Sequence, residues 1–169
     1  MDTHKYILKD GSIESGLVLD GSGFSETIKG SNLTGSGVDG FSIIAGNEDG
    51  IDCVRGSDYK FSGGVIKSGP KTRTFITAKG GINGLLLKDI VLCGKTTWWR
   101  DIGLGDHTIY NKGKMMGMRN VTIDNVTRAD GGKVNVLVLD CKKPNCINGR
   151  YRVIRLPGFL VKIFMMIKR

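Results

Sequence analysis

The sequence contains little proline, few aromatic residues and no long uninterrupted apolar segment. Of its 169 residues only 3 are proline and 7% are aromatic, whereas 26 are glycine. Over most of the chain, apolar residues do not recur at the i, i+3, i+4 spacing of an amphipathic helix. The most apolar segment, at 159–167, contains Lys162 and is shorter than the roughly 20 residues that a bilayer-spanning helix needs. These absences exclude a membrane-spanning helix and disfavour folds in which helices connect parallel strands.

Cysteine spacing does not indicate a metal site or a disulfide framework. The four cysteines, at 53, 93, 141 and 146, form no CxxC pair, and no histidine lies near the last two. We therefore predict reduced and mostly buried thiols, because a free cysteine packs like a small hydrophobic residue. A disulfide and a metal ligand are the alternatives that spacing leaves open.

Two glycine patterns resemble nucleotide-binding loops without their context. The segment 35–40, GSGVDG, fits GxGxxG, but the following FSIIAGNEDG predicts strand and turn instead of a helix. The GKT at 94–96 resembles the end of a phosphate-binding loop, but Asp89 occupies the place of that loop's first glycine. We therefore predict no cofactor. Because the cysteine spacing does not indicate a metal site either, we also predict no metal.

The net charge of +9 and the pI near 9.5 favour polyanionic partners. Lysine and arginine residues are scattered singly, with neither a basic helix nor an aromatic stacking array. We therefore expect no specific nucleic-acid recognition, which leaves an anionic polysaccharide or an acidic protein surface as the polyanion. The N-terminus lacks the charged and apolar regions of a typical signal peptide, so the sequence does not predict a compartment.

Imperfect repeats organise the middle of the chain. Phe61 and Leu87, Val65 and Val91, and Ile66 and Leu92 each lie 26 positions apart, and Ile123 follows Leu87 by 36. The greater second spacing predicts a loop inserted at 95–118. We expect a set of four residues to stack inward in successive coils: Phe61, Leu87, Val65 and Val91.

Short alternating apolar runs, such as TFITA at 74–78 and VNVLVLD at 134–140, predict strands separated by turns of Gly, Asn, Asp and Ser. Such strands at regular intervals favour a single all-β domain over 1–169, a solenoid of about six coils. A β-sandwich is the alternative.

The two ends of the chain have separate predictions. The first strands are predicted for KYILKDGSIESGLVL, from Lys5. The apolar segment 156–169 predicts an end cap or a subunit contact that uses Phe159 and Phe164. Binding to a membrane surface is the third interpretation of that segment.

Three stretches resemble coils of known proteins. NVTIDNVT at 120–127, GLLLKDIVL at 84–92 and EDGIDCVRGSDYKFSGGVIKSG at 48–69 are similar to coils of right-handed parallel β-helix proteins, the pectate lyases, polygalacturonases and phage tailspikes. The resemblance covers roughly residues 30–140 and implies the right-handed parallel β-helix fold. For function it implies two classes, a structural component of a phage or viral particle and an enzyme that cleaves polysaccharides.

The polygalacturonase resemblance implies an acidic catalytic set of which this chain keeps only a part. Asn47, Asp49 and Asp52 fit its start, but the paired Asp, the His-Gly and the Arg-Ile-Lys elements are missing, and His107 is followed by Thr. Because Asn-Glu-Asp-Gly is also typical of a corner, we predict a turn here. Ile51 and Cys53 then face inward and Asp52 outward.

A lyase would need an acidic calcium site and a base, and in this chain Asp49 and Asp52, with Arg55 or Lys60 as the base, could fill those roles. Asp49 and Asp52 therefore remain weak catalytic candidates.

The segment 95–118 contains both tryptophans, Trp98 and Trp99, beside Arg100, and also Tyr110. Aromatic residues beside charge favour protein contact or carbohydrate stacking, whereas the structural alternative is that one Trp covers the flank of the solenoid.

Taken together, the incomplete acidic set and the candidate contact residues favour a non-enzymatic structural or binding protein. We predict a spike, fibre or shell-decorating subunit that assembles with itself or with other subunits in a virion. The alternatives are a lyase or glycoside hydrolase acting on anionic polysaccharide and a non-catalytic glycan-binding module.

Overall fold

The computed structural model describes residues 3–105, 117–139, 144 and 146–156, and these residues form strands and turns without a helix. The strands are β1 (His4–Ile7), β2 (Ile13–Asp20), β3 (Glu26–Thr34), β4 (Gly37–Ile44), β5 (Asp49–Lys67), β6 (Thr74–Cys93), β7 (Ile102–Gly105), β8 (Arg119–Arg128), β9 (Val134–Leu139), β10 (Cys146–Asn148) and β11 (Tyr151–Leu156).

The strands stack in two parallel rows, one on each face of a solenoid. The first row runs β1, β3, β5, β6, β7, β9, β11, and the second joins β2, β4, the later halves of β5 and β6, β8 and β10. Every pairing among the described residues is parallel, which excludes the β-sandwich alternative for them. The predicted all-β solenoid is confirmed, with about five turns instead of about six, and the short strands β9 to β11 extend its C-terminal end.

The core is made of ladders of apolar side chains that repeat from coil to coil. On the first face the ladder is Ile28, Ile51, Ile76, Ile102 and Val136, all buried and in register. On the second face it is Val38, Phe61, Leu87 and Ile123. Each inward side chain therefore packs on its counterparts in the coils above and below, which no single coil could provide alone.

The predicted offsets are confirmed, but two of the predicted core residues are not in the core. Phe61 pairs with Leu87 and Val65 with Val91, as the repeat indicates. Val65 and Val91 are only half-buried, and the next residues along, Ile66 among them, are fully buried instead. The cause is a corner between Phe61 and Val65, which shifts the inward and outward alternation by one residue.

That corner has a left-handed backbone in successive coils. Gly63, Asp89 and Asn125 have φ values of 64°, 53° and 54°, and their neighbours pair in register. Gly, Asn and Asp tolerate this conformation better than other residues. The Nδ2 of Asn125 also donates a hydrogen bond to the Oδ1 of Asp89 at 2.8 Å, so the corner is bonded from coil to coil.

The segment 95–118, predicted to be an inserted loop, contains strand β7. Ile102 pairs with Ile76 at the same sequence offset that separates Phe61 from Leu87, so residues 102–105 form part of a regular coil. Residues 106–116, with His107 and Tyr110, lie outside the described residues. The same holds for the segment 157–169, with Phe159 and Phe164, so the predicted cap or contact at 156–169 is described only at Leu156, the end of β11.

Two cysteines can be compared with the thiol prediction. Cys53 is buried in the core and Cys93 is half-buried, and both are free thiols. Burial raises the pKa of Cys53, which keeps it a neutral thiol.

In the part of the chain that the structure describes, no helix has the length and apolar character required to cross a membrane.

Candidate functional site

Three carboxylates from two neighbouring coils meet on the outer side of the first face. Glu26 of β3 pairs in register with Asp49 of β5, and Asp52 lies three positions further along β5. One oxygen from each of the three lies within 4.8 Å of the other two. All three are buried, Asp52 completely, at 0% exposure. We call this set the carboxylate cluster.

Two consecutive inward residues in β5 place both aspartates on the same side. Gly50 and Ile51 are consecutive and both face inward: a Cβ at Gly50 would lie 2.9 Å from the Cγ2 of the core residue Ile66, and Ile51 is buried in the core. Asp49 and Asp52 flank this inward pair and therefore both face outward. Ile51 and Cys53 are inward as predicted. The predicted corner is wrong for Asp49 and Gly50, which begin strand β5.

Two lysines neutralise part of the cluster. The Nζ of Lys29 lies 2.5 Å and the Nζ of Lys79 3.5 Å from the same oxygen, Oδ2 of Asp52. Both lysines come from adjacent coils and are themselves largely buried. The other oxygen of Asp52, Oδ1, is buried and has no hydrogen-bond partner, which is unfavourable for a carboxylate unless a proton-bearing group reaches it.

The other two carboxylates have partners from the same face. Glu26 Oε2 lies 2.9 Å from His4 Nδ1 in the coil before it, and Asp49 Oδ1 accepts a hydrogen bond from the Thr77 hydroxyl at 2.8 Å in the coil after it. The cluster is therefore embedded in contacts that run across four coils of the solenoid.

Burial makes two of these carboxylates weak acids. Desolvation first, and the negative charge of Asp52 second, raise the pKa of Glu26 to about 7 and that of Asp49 to about 7. Lys79 acts against both increases. Near neutral pH Glu26 and Asp49 are therefore partly protonated, so the cluster carries less negative charge than three ionised carboxylates would.

The cluster's three oxygens are also close enough to bind one divalent cation. The sequence predicts no metal here. The ammonium groups of Lys29 and Lys79, both beside Asp52, repel a cation at this position and already neutralise part of the negative charge. The donor set therefore fits a bound cation poorly while both lysines stay in place.

Protein stability should fall as the pH rises from 5 to 8. The folded-state pKa values of Glu26 and Asp49 lie near 7, above their ordinary values, so over this range the folded protein binds protons that the unfolded chain has released. A pKa difference of one corresponds to about 1.4 kcal/mol, and about 1 kcal/mol changes the melting temperature of a chain of this size by about 2–4 °C. We expect the melting temperature to be several degrees lower at pH 8 than at pH 5.

The matched variant for this prediction is Asp49→Asn, which keeps an acceptor for the Thr77 hydroxyl and cannot ionise. It should melt at a higher temperature than the original protein at pH 8, and the difference between pH 5 and pH 8 should shrink. Calorimetric melting curves at a series of pH values measure both. A melting temperature that rises from pH 5 to pH 8 would contradict the assignment of the raised pKa values.

The predicted contact residues Trp98 and Arg100 lie beside the cluster. The guanidinium carbon of Arg100 lies 4.8 Å from the centre of the Trp98 ring, and that of Arg73 lies 4.9 Å from it. Arg100 Nε also donates a hydrogen bond to the Thr74 hydroxyl at 2.7 Å, and Thr74 pairs in register with Asp49. Trp98 and the neighbouring Trp99 are half-buried.

These contacts favour the structural interpretation of Trp98, in which it covers the flank of the solenoid. Its ring is occupied by arginine side chains of the same chain. The structure thus brings together four of the predicted residues, Asp49, Asp52, Trp98 and Arg100. Tyr110, Phe159 and Phe164 lie outside the described residues, so their predicted contacts stay predictions.

The N-terminal coil is the second feature with functional potential. β1 pairs only with β3 and β2 only with β4, so among the described residues each has one unpaired strand edge. The three large apolar residues with the highest exposure in the described chain all lie in this coil: Ile7 at 63%, Ile13 at 43% and Val18 at 81%. Leu17 and Leu19, which pack against the core, are also only partly buried.

The sequence alone did not identify Glu26 and Lys29 as members of the site, or the contact of Lys79 with Asp52. The 26-residue offset that relates 58–67 to 84–93 does not hold for the preceding coil. One coil earlier, Glu26 and Lys29 pair in register with Asp49 and Asp52. The alternating pattern alone gave no sign of the inward pair at Gly50 that places both aspartates on one side.

Comparison of the chain with protein-family models, with curated proteins and with solved structures finds no match.

Proposed function

We propose that the protein is a non-enzymatic β-solenoid that works as a building block, by binding further copies of itself or other subunits. The observation that supports this most is the N-terminal coil, where strand edges without a partner among the described residues coincide with exposed Ile7, Ile13 and Val18. Such an edge is a template for pairing with another chain, and large exposed apolar side chains that lie together are typical of interaction sites.

The contacts of the carboxylate cluster support the same proposal. Asp52 is fully buried and bonded to Lys29, and Asp49 is buried and bonded to Thr77. The nearby Trp98 ring is occupied by Arg73 and Arg100. A catalytic carboxylate must reach the substrate at hydrogen-bond distance, whereas these groups are already bonded within the chain. Their arrangement fits a role in joining neighbouring coils.

The finer part of the proposal is that the assembly is a phage or viral particle, in which the protein serves as a spike, fibre or shell-decorating subunit. Its support is the resemblance of the stretches 48–69, 84–92 and 120–127 to coils of phage tailspikes. A rigid stack of coils with hydrogen bonds from each coil to the next suits a particle that must resist proteases and mechanical stress.

Size-exclusion chromatography with light scattering tests the proposal. We expect the purified chain to elute with a mass that is a multiple of 18.3 kDa and that increases with protein concentration. A Trp98→Ala variant should assemble like the original, because Trp98 lies on the flank and not at the N-terminal coil. A chain that stays monomeric at every concentration tested would refute assembly with itself.

The second candidate function is cleavage or binding of an anionic polysaccharide, favoured by the proximity of Glu26, Asp49 and Asp52 and by the raised pKa values of the first two. An assay for new reducing ends or unsaturated products on polyuronates tests it. We expect no cleavage. Cleavage that disappears in both Asp49→Asn and Asp52→Asn would replace the assembly proposal with this one.

A further inference from the structure

We infer that the open N-terminal coil of one copy is covered by the C-terminal segment 157–169 of a second copy. This inference rests on the proposed assembly function and names its partner. The interface would join two different surfaces of the same chain, so it is a head-to-tail contact, which continues from copy to copy unless the copies close into a ring.

The surface to be covered is an edge strand with a defined chemistry. Among the described residues, β2 (Ile13–Asp20) pairs with β4 on one side only. Its apolar side chains Ile13 and Val18 are exposed, and its charged residues are Glu14 and Asp20, with no lysine or arginine in the strand. Glu14 already lies 4.0 Å from the Nζ of Lys9 in the same coil, so Asp20 is the carboxylate that a basic partner would meet. A matching strand should therefore be apolar, with a basic residue near one end.

The segment 157–169, PGFLVKIFMMIKR, has that composition. Most of it is large and apolar, and its charged side chains are all basic, Lys162, Lys168 and Arg169. The stretch 159–167 is rich in residues that favour strands, and it is about as long as β2. The charges of the two partners are thus opposite, and their lengths agree.

Distance shows why the partner is a second copy. Leu156 ends β11, which is six strand spacings from β1 in the stack, or roughly 29 Å at about 4.8 Å per spacing. If the stretch 159–167 pairs with β2, only 157–158 remains as a connection, and an extended stretch from Leu156 to its first residue spans at most about 10 Å. A chain therefore cannot pair this segment with its own N-terminal coil.

A complementation experiment tests the inference. One variant ends after Leu156 and keeps the N-terminal coil; the other, Ile13→Lys/Val18→Lys, keeps the segment 157–169 and places positive charge on β2. The substituted side chains are exposed, so the fold should persist. Each variant alone should lose assembly, with its apparent dissociation constant raised about ten-fold or more, while a mixture of the two should form a complex of one chain of each.

The matched control is Ser42→Lys, because Ser42 is exposed and pairs in register with Val18 in the next coil. It should assemble as the original does. If the mixture forms no complex while the original chain still assembles, the segment is not the partner and the assembly proposal stands. A truncated chain that assembles normally, or one that no longer folds because the segment belongs to its own core, would equally overturn the inference. An original chain that stays monomeric would refute both.

Discussion

Leu87→Asp is expected to prevent folding. Leu87 has no exposed surface and packs in register between Phe61 in the coil before it and Ile123 in the coil after it. The substitution removes an apolar side chain from the ladder and places a carboxylate among apolar neighbours. An unpaired charge in a core costs several kcal/mol, and the lost apolar contact adds about 2–5 kcal/mol. Together they are of the order of the whole stability of a typical domain, about 5–15 kcal/mol.

The measurement is the yield of soluble protein and the presence of a cooperative melting transition. Val91→Asp is the matched control, because Val91 lies a short way along the same strand and is half-buried on the outer side. We expect this variant to fold and to lose only about 1 kcal/mol. A soluble Leu87→Asp variant with a cooperative transition would contradict the assigned register of the core.

The contrast between Leu87 and Val91 shows how far the repeat pattern could predict the fold. The spacing of apolar residues predicts which positions pair, because parallel coils place residues at the same position of successive coils side by side. The pairs Phe61–Leu87 and Leu87–Ile123 are confirmed. The pattern did not identify which member of an apolar pair such as Val65–Ile66 faces inward. That choice depends on the left-handed corner at Gly63, which reverses the alternation at one residue.

The carboxylate cluster was less predictable for a related reason. The sequence predicts Asp49 in a turn and Asp52 outward in the strand that follows, and it allows both only to be compared with a known catalytic set. Their environment comes instead from other coils, since Glu26 and Lys29 of the preceding coil pair in register with them. The raised pKa values result from this burial and from the charge of Asp52, which no local pattern contains.

The segment 95–118 illustrates a third limit. Its length relative to the other repeats predicts an insertion, whereas the structure places the short strand β7 within it. A short run such as IGLG, with two glycines, has weak strand propensity, and its pairing with both β6 and β9 is what makes it a strand. Neighbouring coils therefore determine its structure more than its own residues do.

Arg128→Ala is expected to destabilise the protein by about 3–5 kcal/mol, because it removes a cation that is hydrogen-bonded to a buried carboxylate. Arg128 Nη1 lies 2.7 Å from Oδ1 of Asp101, which is fully buried. The other oxygen of Asp101 accepts a hydrogen bond from the backbone N–H of Asn135 at 2.8 Å. Arg128 Nη2 donates to the carbonyl of Gly94 at 2.8 Å. Arg128 thus connects the end of β8 with Gly94, which follows β6, and with Asp101, which precedes β7. Asp101 in turn contacts Asn135 of β9.

The free energy of unfolding, measured in urea, checks this prediction. Arg119→Ala is the control, because Arg119 lies in the same strand and is exposed, and we expect it to change stability by less than about 0.5 kcal/mol. Arg128→Lys keeps the charge but cannot reproduce the forked contacts with Asp101 and Gly94, so its stability should fall between those of the original protein and Arg128→Ala. If Arg128→Ala were no less stable than Arg119→Ala, the contact between Arg128 and Asp101 would not hold these coils together.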